Sequence, residues 1–262
     1  MEKKKTRIAV TSFNSAGYEK YGQRMIETYR QFWPDDIPLV VVSEDSIPVI
    51  TDNRIFFHDY DKIVPEGVHF KNKFSSFSEA NGTSYIFEES NGGSTVTKVY
   101  NYLFDAIRFS HKVFTLYGIN RSYDCDEIIW LDGDTYTHTA IDDRFFELVS
   151  SGGGHMTYLG RDNMYSECGF LVFNRRNKIN DIFFNQISSE YLNGEIFLLQ
   201  EWHDSFIWDV IRVHYEKAEG IKNVSISGEG STSLDPFDFS ILNEYMHHMK
   251  GPERKEMDAH NK

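Results

Sequence analysis

The alternation of apolar and polar positions divides the chain into short strands, longer helices and one irregular stretch. Residues 7–13, RIAVTSF, form a brief apolar run that ends in small polar residues and Asn14, as a strand does. Over 18–33, Tyr21, Met25, Thr28, Tyr29 and Phe32 recur near helical spacing, and Pro34 stops the helix. IPLVVVSED, 37–45, is a continuous Val-rich run, the mark of a strand covered on both faces. Strand, helix and strand in this order open a parallel α/β sheet.

Residues 65–97 interrupt that rhythm. They are rich in Gly, Ser and Asn with scattered aromatics, which predicts a loop insertion over a site and equally fits an ordinary surface excursion. From 98 to 117 the period is helical, with Val99, Tyr102, Leu103, Ala106, Ser110, Val113, Phe114 and Tyr117 on one face. Asn101, Asp105, Arg108 and Lys112 fall on another stripe, either a solvated face or one that looks into a site. The run at 128–131 is a further buried strand, and 142–150 reads as a short helix. Gly152–Gly154 is a break, 164–174 an apolar strand, 178–192 and 201–215 helices, and 223–227 a last strand. No internal repeat or linker divides the 262 residues, so the pattern predicts a single α/β domain with a mostly parallel central sheet flanked by helices.

Composition narrows the classes. At 40 % hydrophobic residues a sizeable core is expected, and no segment approaches the roughly 20 apolar residues of a membrane span. MEKKKTRIAVTSF lacks a signal peptide's apolar region, and Cys125 and Cys168 give neither a disulfide framework nor metal spacing, so the expected setting is cytoplasmic. Oligomeric state is not legible. A net charge of −13 disfavours a generic nucleic-acid binder, although a basic patch including Lys71, Lys73 and Lys98 would revive one.

The chemistry gathers in EIIWLDGDTYTH, 127–138, where the apolar strand ends in Asp132-Gly133-Asp134. Ligands of open α/β sheets bind beyond the carboxyl ends of the strands, where these carboxylates lie. Gly133 permits a turn and close approach of a ligand. Two hard oxygen ligands at this spacing suit a divalent cation that also takes phosphate oxygens. Asp-x-Asp alone is a weak signal, since such pairs are often only turns. HHMKGPERK, 247–255, supplies an imidazole, a glycine and cations; His247 or His248 would add a nitrogen ligand, favouring Mn²⁺ over Mg²⁺. A frayed, charged C-terminus is the plainer alternative.

These elements, in this order, resemble a GT-A glycosyltransferase, most closely the retaining family 8 type that includes glycogenin and the bacterial lipooligosaccharide galactosyltransferases. IAVTSFN resembles the first nucleotide-binding strand, IIWLDGDT the Asp-x-Asp strand and SECGFLVFN the Asn-Ala-Gly strand, with Glu167 and Cys168 at the usual Asn and Ala. HHMKGPER resembles the His-x-x-Gly-x-x-Lys signature, with Arg254 at the lysine position. The resemblance implies a GT-A, Rossmann-like domain over 1–262 with a C-terminal metal and diphosphate segment near 245–256. It implies Asp132, Asp134 and His248 as metal ligands, and Gly133, Lys250, Gly251 and Arg254 around the diphosphate. Thr11, Ser12, Phe13, Asn14 and Glu44 or Asp45 would lie near base and ribose, and Arg108 and Lys112 near the diphosphate or donor sugar. The donor would be a nucleotide-sugar, with UDP favoured, and the acceptor a glycan or other hydroxyl-bearing molecule.

One departure bears on mechanism. Where the family shows Asp-Gln-Asp, this chain has Trp202-His203-Asp204, which sets His203 where the family glutamine meets the donor sugar. Asp204, Glu167 and His203 are the catalytic candidates, although Asp204 is also a credible helix cap. Trp130, Trp202 and Trp208 read as core and Cys168 as an inert buried thiol. Three alternatives remain open: transfer to a hydroxylated nucleobase in DNA, as some phage-encoded transferases perform; a sugar nucleotidyltransferase, although TSFNSAGYEK lacks a Gly-rich phosphate loop; and a non-catalytic nucleotide-sugar-binding module.

Overall fold

The computed structural model describes residues 5–45, 47, 50–90, 93–227 and 235–251. Strand β1 (Arg7–Phe13) runs into helix α1 (Ser15–Gly17), one π-helical turn (Tyr18–Gly22) and helix α2 (Gln23–Phe32). Strands β2 (Leu39–Ser43) and β3 (Ile55–Asp59) follow, then helices α3 (Tyr60–Ile63) and α4 (Pro65–Phe74). A hairpin of β4 (Thr83–Ser90) and β5 (Gly93–Tyr100) leads to the long helix α5 (Ala106–Ser122). Next come β6 (Glu127–Leu131), β7 (Thr135–Thr137), helix α6 (Asp143–Leu148), β8 (Met156–Arg161) and β9 (Met164–Asn174). Helices α7 (Asn180–Asn193) and α8 (Asp204–Glu219), then strands β10 (Val224–Ser225) and β11 (Met246–His248), complete the order.

Seven strands form one sheet in the order β10-β8-β9-β6-β1-β2-β3. The β6-β1-β2-β3 half is parallel, while β9 runs antiparallel to both β6 and β8. Side chains alternate across a strand, so the Val-rich run feeds two cores. Val40 and Val42 join Val10, Ile128 and Trp130 against Val113 and Phe114 of α5 and Trp208 of α8. Leu39 and Val41 join Ala9, Ile129 and Leu131 against Met25, Ile26 and Tyr29 of α2. From β1 the chain moves to β2 on one side, and later returns to β6 on the other. That switch point leaves a crevice beyond the carboxyl ends of β1 and β6, where such sheets bind ligands.

Several expectations are corrected. The 65–97 stretch is not a loop: it folds into α4, a 3₁₀ turn at Ser78–Asn81 and the β4–β5 hairpin. Nor does the helix begin at 98, because β5 continues through Tyr100 and α5 starts at Ala106. Asn101 and Asp105, expected on the Lys112 stripe, instead cap: Asn101 Oδ1 accepts from the Leu103 N–H (3.1 Å) and Asp105 Oδ1 from the Arg108 N–H (3.0 Å). The last described strand is β11 rather than the 223–227 segment.

Candidate metal and donor site

The two aspartates sit in the tight link between β6 and β7. The Asp132 N–H donates to the Gly169 carbonyl (2.9 Å), and the Thr135 N–H and hydroxyl both donate to the Asp132 carbonyl. Strand β11 then pairs antiparallel with β7, placing His248 opposite Thr135 and His247 opposite Tyr136. The Met249 N–H, on the Asp134 carbonyl at 2.9 Å, extends the pairing. Alternation along β11 turns the buried His248 ring to the aspartates: Nε2 lies 3.0 Å from Asp134 Oδ1 and 3.7 Å from Asp132 Oδ2. The His247 ring packs instead on His138 and Tyr136, with centroids 4.7 and 5.4 Å away.

Asp132, Asp134 and His248 offer donor atoms all within 4.8 Å of one another. One imidazole nitrogen and two carboxylates fit Mn²⁺ well and Mg²⁺ less well. Burial disfavours a charged His248, but Asp134, Glu167 and Asp132 together hold the imidazole's pKa above its ordinary value. Space here is rationed by glycine. A Cβ on Gly169 would stand 2.7 Å from His248 Cε1, and one on Gly133 would stand 2.7 Å from the Phe13 ring.

Lys112 reaches the cluster from α5. Its ammonium lies 2.8 Å from Asp132 Oδ1, 2.7 Å from Asp204 Oδ2 and 3.0 Å from the Cys168 carbonyl. Three acceptors match the three N–H bonds of the ammonium. Burial opposes this charge, yet Asp132 and Asp204 prevail and hold its pKa well above the ordinary lysine value. Asp204 is the first residue of α8, and the cap position belongs to His203. The Asp204 carboxylate therefore serves Lys112 in addition to the Ser205 N–H at 2.9 Å.

Lys112, Phe109, Asp132, Asp134 and Asp204 stand between two cavities. The smaller, about 180 Å³, is also lined by Ser12, Tyr21, Glu44, Arg108, His111 and Gly133. Glu44 lies 3.3 Å from the Ser12 hydroxyl and 3.4 Å from His111 Nδ1; burial raises its pKa and the Ser12 hydrogen bond offsets part of the rise. The π-helical turn aims Tyr21 at the aspartates, and burial together with Asp134 and Asp132 pushes its phenol up to about 12. The larger cavity, about 530 Å³, adds Glu167, Arg161, Tyr165, Glu201, His203, Lys250 and Gly251. There the Lys250 ammonium pairs with Glu167, which also accepts from the Gly169 N–H (3.1 Å). His203 Nε2 meets Glu201 at 2.7 Å, with the Tyr102, Phe109 and Tyr165 rings about it.

Of the β1 residues expected near base and ribose, Ser12 lines the smaller cavity. Thr11 and Phe13 are buried in the sheet, and Asn14 caps α1 through the Gly17 N–H (2.8 Å). Asp45 is spent on the Ser15 N–H and hydroxyl. Arg254 lies outside the described residues. Sequence reasoning passed over Glu201, Tyr21 and Arg161, whose only signal is nearness in the chain to motif residues. It also read Trp130 as core alone, whereas the indole N–H donates to Asp132 Oδ1 at 2.7 Å.

The fold is the GT-A fold of glycosyltransferases, and comparison with solved structures shows it. The chain is similar to the galactosyltransferase LgtC in complex with donor and acceptor sugar analogues, at a TM-score of 0.52 and 12 % identity, covering 94 % of this chain and 87 % of that one. An active-site mutant of LgtC aligns at 0.51 with 13 % identity, covering 97 % and 95 %. The apo form of mouse xyloside xylosyltransferase 1 aligns at 0.50 with 11 % identity, covering 83 % and 84 %. No protein-family model matches the chain, and no curated protein matches it by sequence. Among the described residues no helix is long and apolar enough to cross a membrane.

Proposed function

We propose that the protein is a metal-dependent glycosyltransferase that moves a sugar from a nucleotide-sugar, with a UDP-sugar favoured, to an acceptor hydroxyl. The observation that carries this reading is the Asp132–Asp134–His248 cluster at the switch point, between a small cavity under Ser12 and Glu44 and a large one at Glu167 and His203. Asp132, Asp134 and His248 would hold Mn²⁺ or Mg²⁺, which when bound supplies Lewis-acid stabilisation of a departing diphosphate. The Ser12 hydroxyl offers a donor and the Glu44 carboxylate an acceptor of hydrogen bonds to a nucleoside. Arg108, which lines the same small cavity, would meet phosphate oxygens. Gly251, at a positive φ of 72°, lines the larger cavity. The acceptor belongs in that cavity, whose aromatic walls and carboxylates suit a sugar's apolar faces and hydroxyls. The cavity mixes Arg161 and Lys250 with Glu167, Glu201 and Asp204, which favours a glycan over a DNA acceptor. A cytoplasmic setting remains part of this reading.

Resemblance favours retention of anomeric configuration, with Asp204 and Glu167 stabilising positive charge that develops on the sugar. One observation favours inversion instead. The Glu201 carboxylate orients the buried His203 imidazole, an arrangement that suits a base for the acceptor hydroxyl. The test is a panel of UDP-, GDP- and CDP-sugars incubated with Mn²⁺, Mg²⁺ or EDTA, followed by NMR of the anomeric proton of any product. Mn²⁺-dependent consumption of one UDP-sugar supports the proposal. Silence across the panel, with no metal-dependent binding of UDP, rejects it.

A further inference from the structure

Asp132 has two carboxylate oxygens, and the structure treats them unequally. Oδ1 accepts from the Trp130 indole N–H at 2.7 Å and from the Lys112 ammonium at 2.8 Å. Oδ2 is the atom turned to His248, 3.7 Å from Nε2. The local cause is strand parity. Trp130 and Asp132 are two residues apart, so both project to the α5 side of the sheet, where Lys112 also lies. The Lys112 ammonium stands 5.5 Å from the indole ring centroid, completing a corner in which ring, ammonium and carboxylate fix one another.

We propose that Trp130 is a positioning residue for the metal site: its indole N–H, together with Lys112, occupies Asp132 Oδ1 so that Oδ2 alone is presented to the cation. The inference rests on the metal-site reading above. A carboxylate free to rotate exchanges its oxygens and loses conformational freedom on binding. One already held by two donors has lost that freedom before the cation arrives. The ring is buried and borders the smaller cavity, while its N–H is the group that bonds Asp132, so the positioning role belongs to that N–H.

The test is Mn²⁺ affinity, read by electron paramagnetic resonance of free Mn²⁺ without any sugar donor. It compares wild-type protein, Trp130→Phe, and a protein carrying benzothienylalanine at position 130, which keeps the bicyclic shape and replaces the N–H by sulfur. Loss of an outer-shell hydrogen bond typically weakens metal binding about 10- to 100-fold. That loss is expected in both variants, with the benzothienyl protein melting as the wild type does. The indole N–H resonance of Trp130, identified by its disappearance in Trp130→Phe, should shift when Mg²⁺ is added to the wild type. Unchanged Mn²⁺ affinity in the benzothienyl protein, with wild-type affinity present, overturns the positioning role and leaves the site intact. Absence of Mn²⁺ binding by the wild type overturns the site and the inference together.

Discussion

Single atoms decide whether the imidazole and carboxylates can converge. Gly169 shows this most sharply, because a methyl group there would stand 2.7 Å from His248 Cε1 and 2.9 Å from Nδ1. Gly169→Ala is therefore expected to displace the imidazole and weaken Mn²⁺ binding at least tenfold, measured by calorimetry, while the far-ultraviolet circular dichroism stays unchanged. Lys112 is the complementary case. Lys112→Met removes the charge shared by Asp132 and Asp204, and breaking a buried ion pair from one side costs about 3 kcal/mol. Urea denaturation should show that loss, and sugar transfer should fall with it. At this scale the sequence was informative where chemistry forces a residue type. Asp132, Asp134, His248 and Lys112 were all legible and do come together. Thr11, Phe13 and Asn14 were named because they share a segment with Ser12, and Asp45 because it adjoins Glu44; nothing in residue type distinguishes a cap or core residue from a ligand contact.

Between elements, the joint of α8 and β9 holds one wall of the larger cavity. Asp209 on α8 accepts from both the Ser166 N–H and hydroxyl at 2.7 Å, one residue before Glu167. The same carboxylate meets Arg212, which in turn bonds Glu216. Asp209→Ala should cost about 2 kcal/mol in thermal or urea unfolding, because the buried Ser166 N–H loses a charged acceptor. Strands β1, β2, β6 and β9 were readable because continuous apolar runs are their signature. The β4–β5 hairpin was not, since Glu88, Thr95, Thr97 and Lys98 face solvent and the apolar Phe87 and Val96 do too. With both faces exposed, no alternation marks the strands, and a Gly- and Ser-rich composition reads as loop. Strand β11 was hidden for another reason: three residues, paired with β7, are too few for a period.

For the molecule as a whole, two buried histidines tie stability to pH. His111, on the wall of the smaller cavity, is pulled down to about 4 by burial and by the charge of Lys71. His155, packed among Phe173, Phe183 and Phe184, is likewise pulled down to about 4 by burial, against its hydrogen bond to Asn180. Each folded value lies below the unfolded value of 6.5, so the unfolded chain takes up protons first as pH falls. Their contribution to stability is complete above pH 6.5 and declines toward pH 4. Between pH 7.5 and 5 it shrinks by about 2 kcal/mol for each. Urea unfolding at the two pH values should show that decline, and His155→Gln should flatten it by about half. The fold class was visible at this scale from strand and helix order alone, as the parallel β6-β1-β2-β3 half-sheet bears out.

The measurement that bears most directly on the central claim is calorimetric titration of UDP into wild-type protein and into Asp132→Asn/Asp134→Asn, each with Mn²⁺ and with EDTA. Binding by the wild type is expected only with Mn²⁺, and none by the double variant in either condition. UDP binding that survives EDTA or the double substitution, or no binding by wild type with Mn²⁺ present, would contradict it.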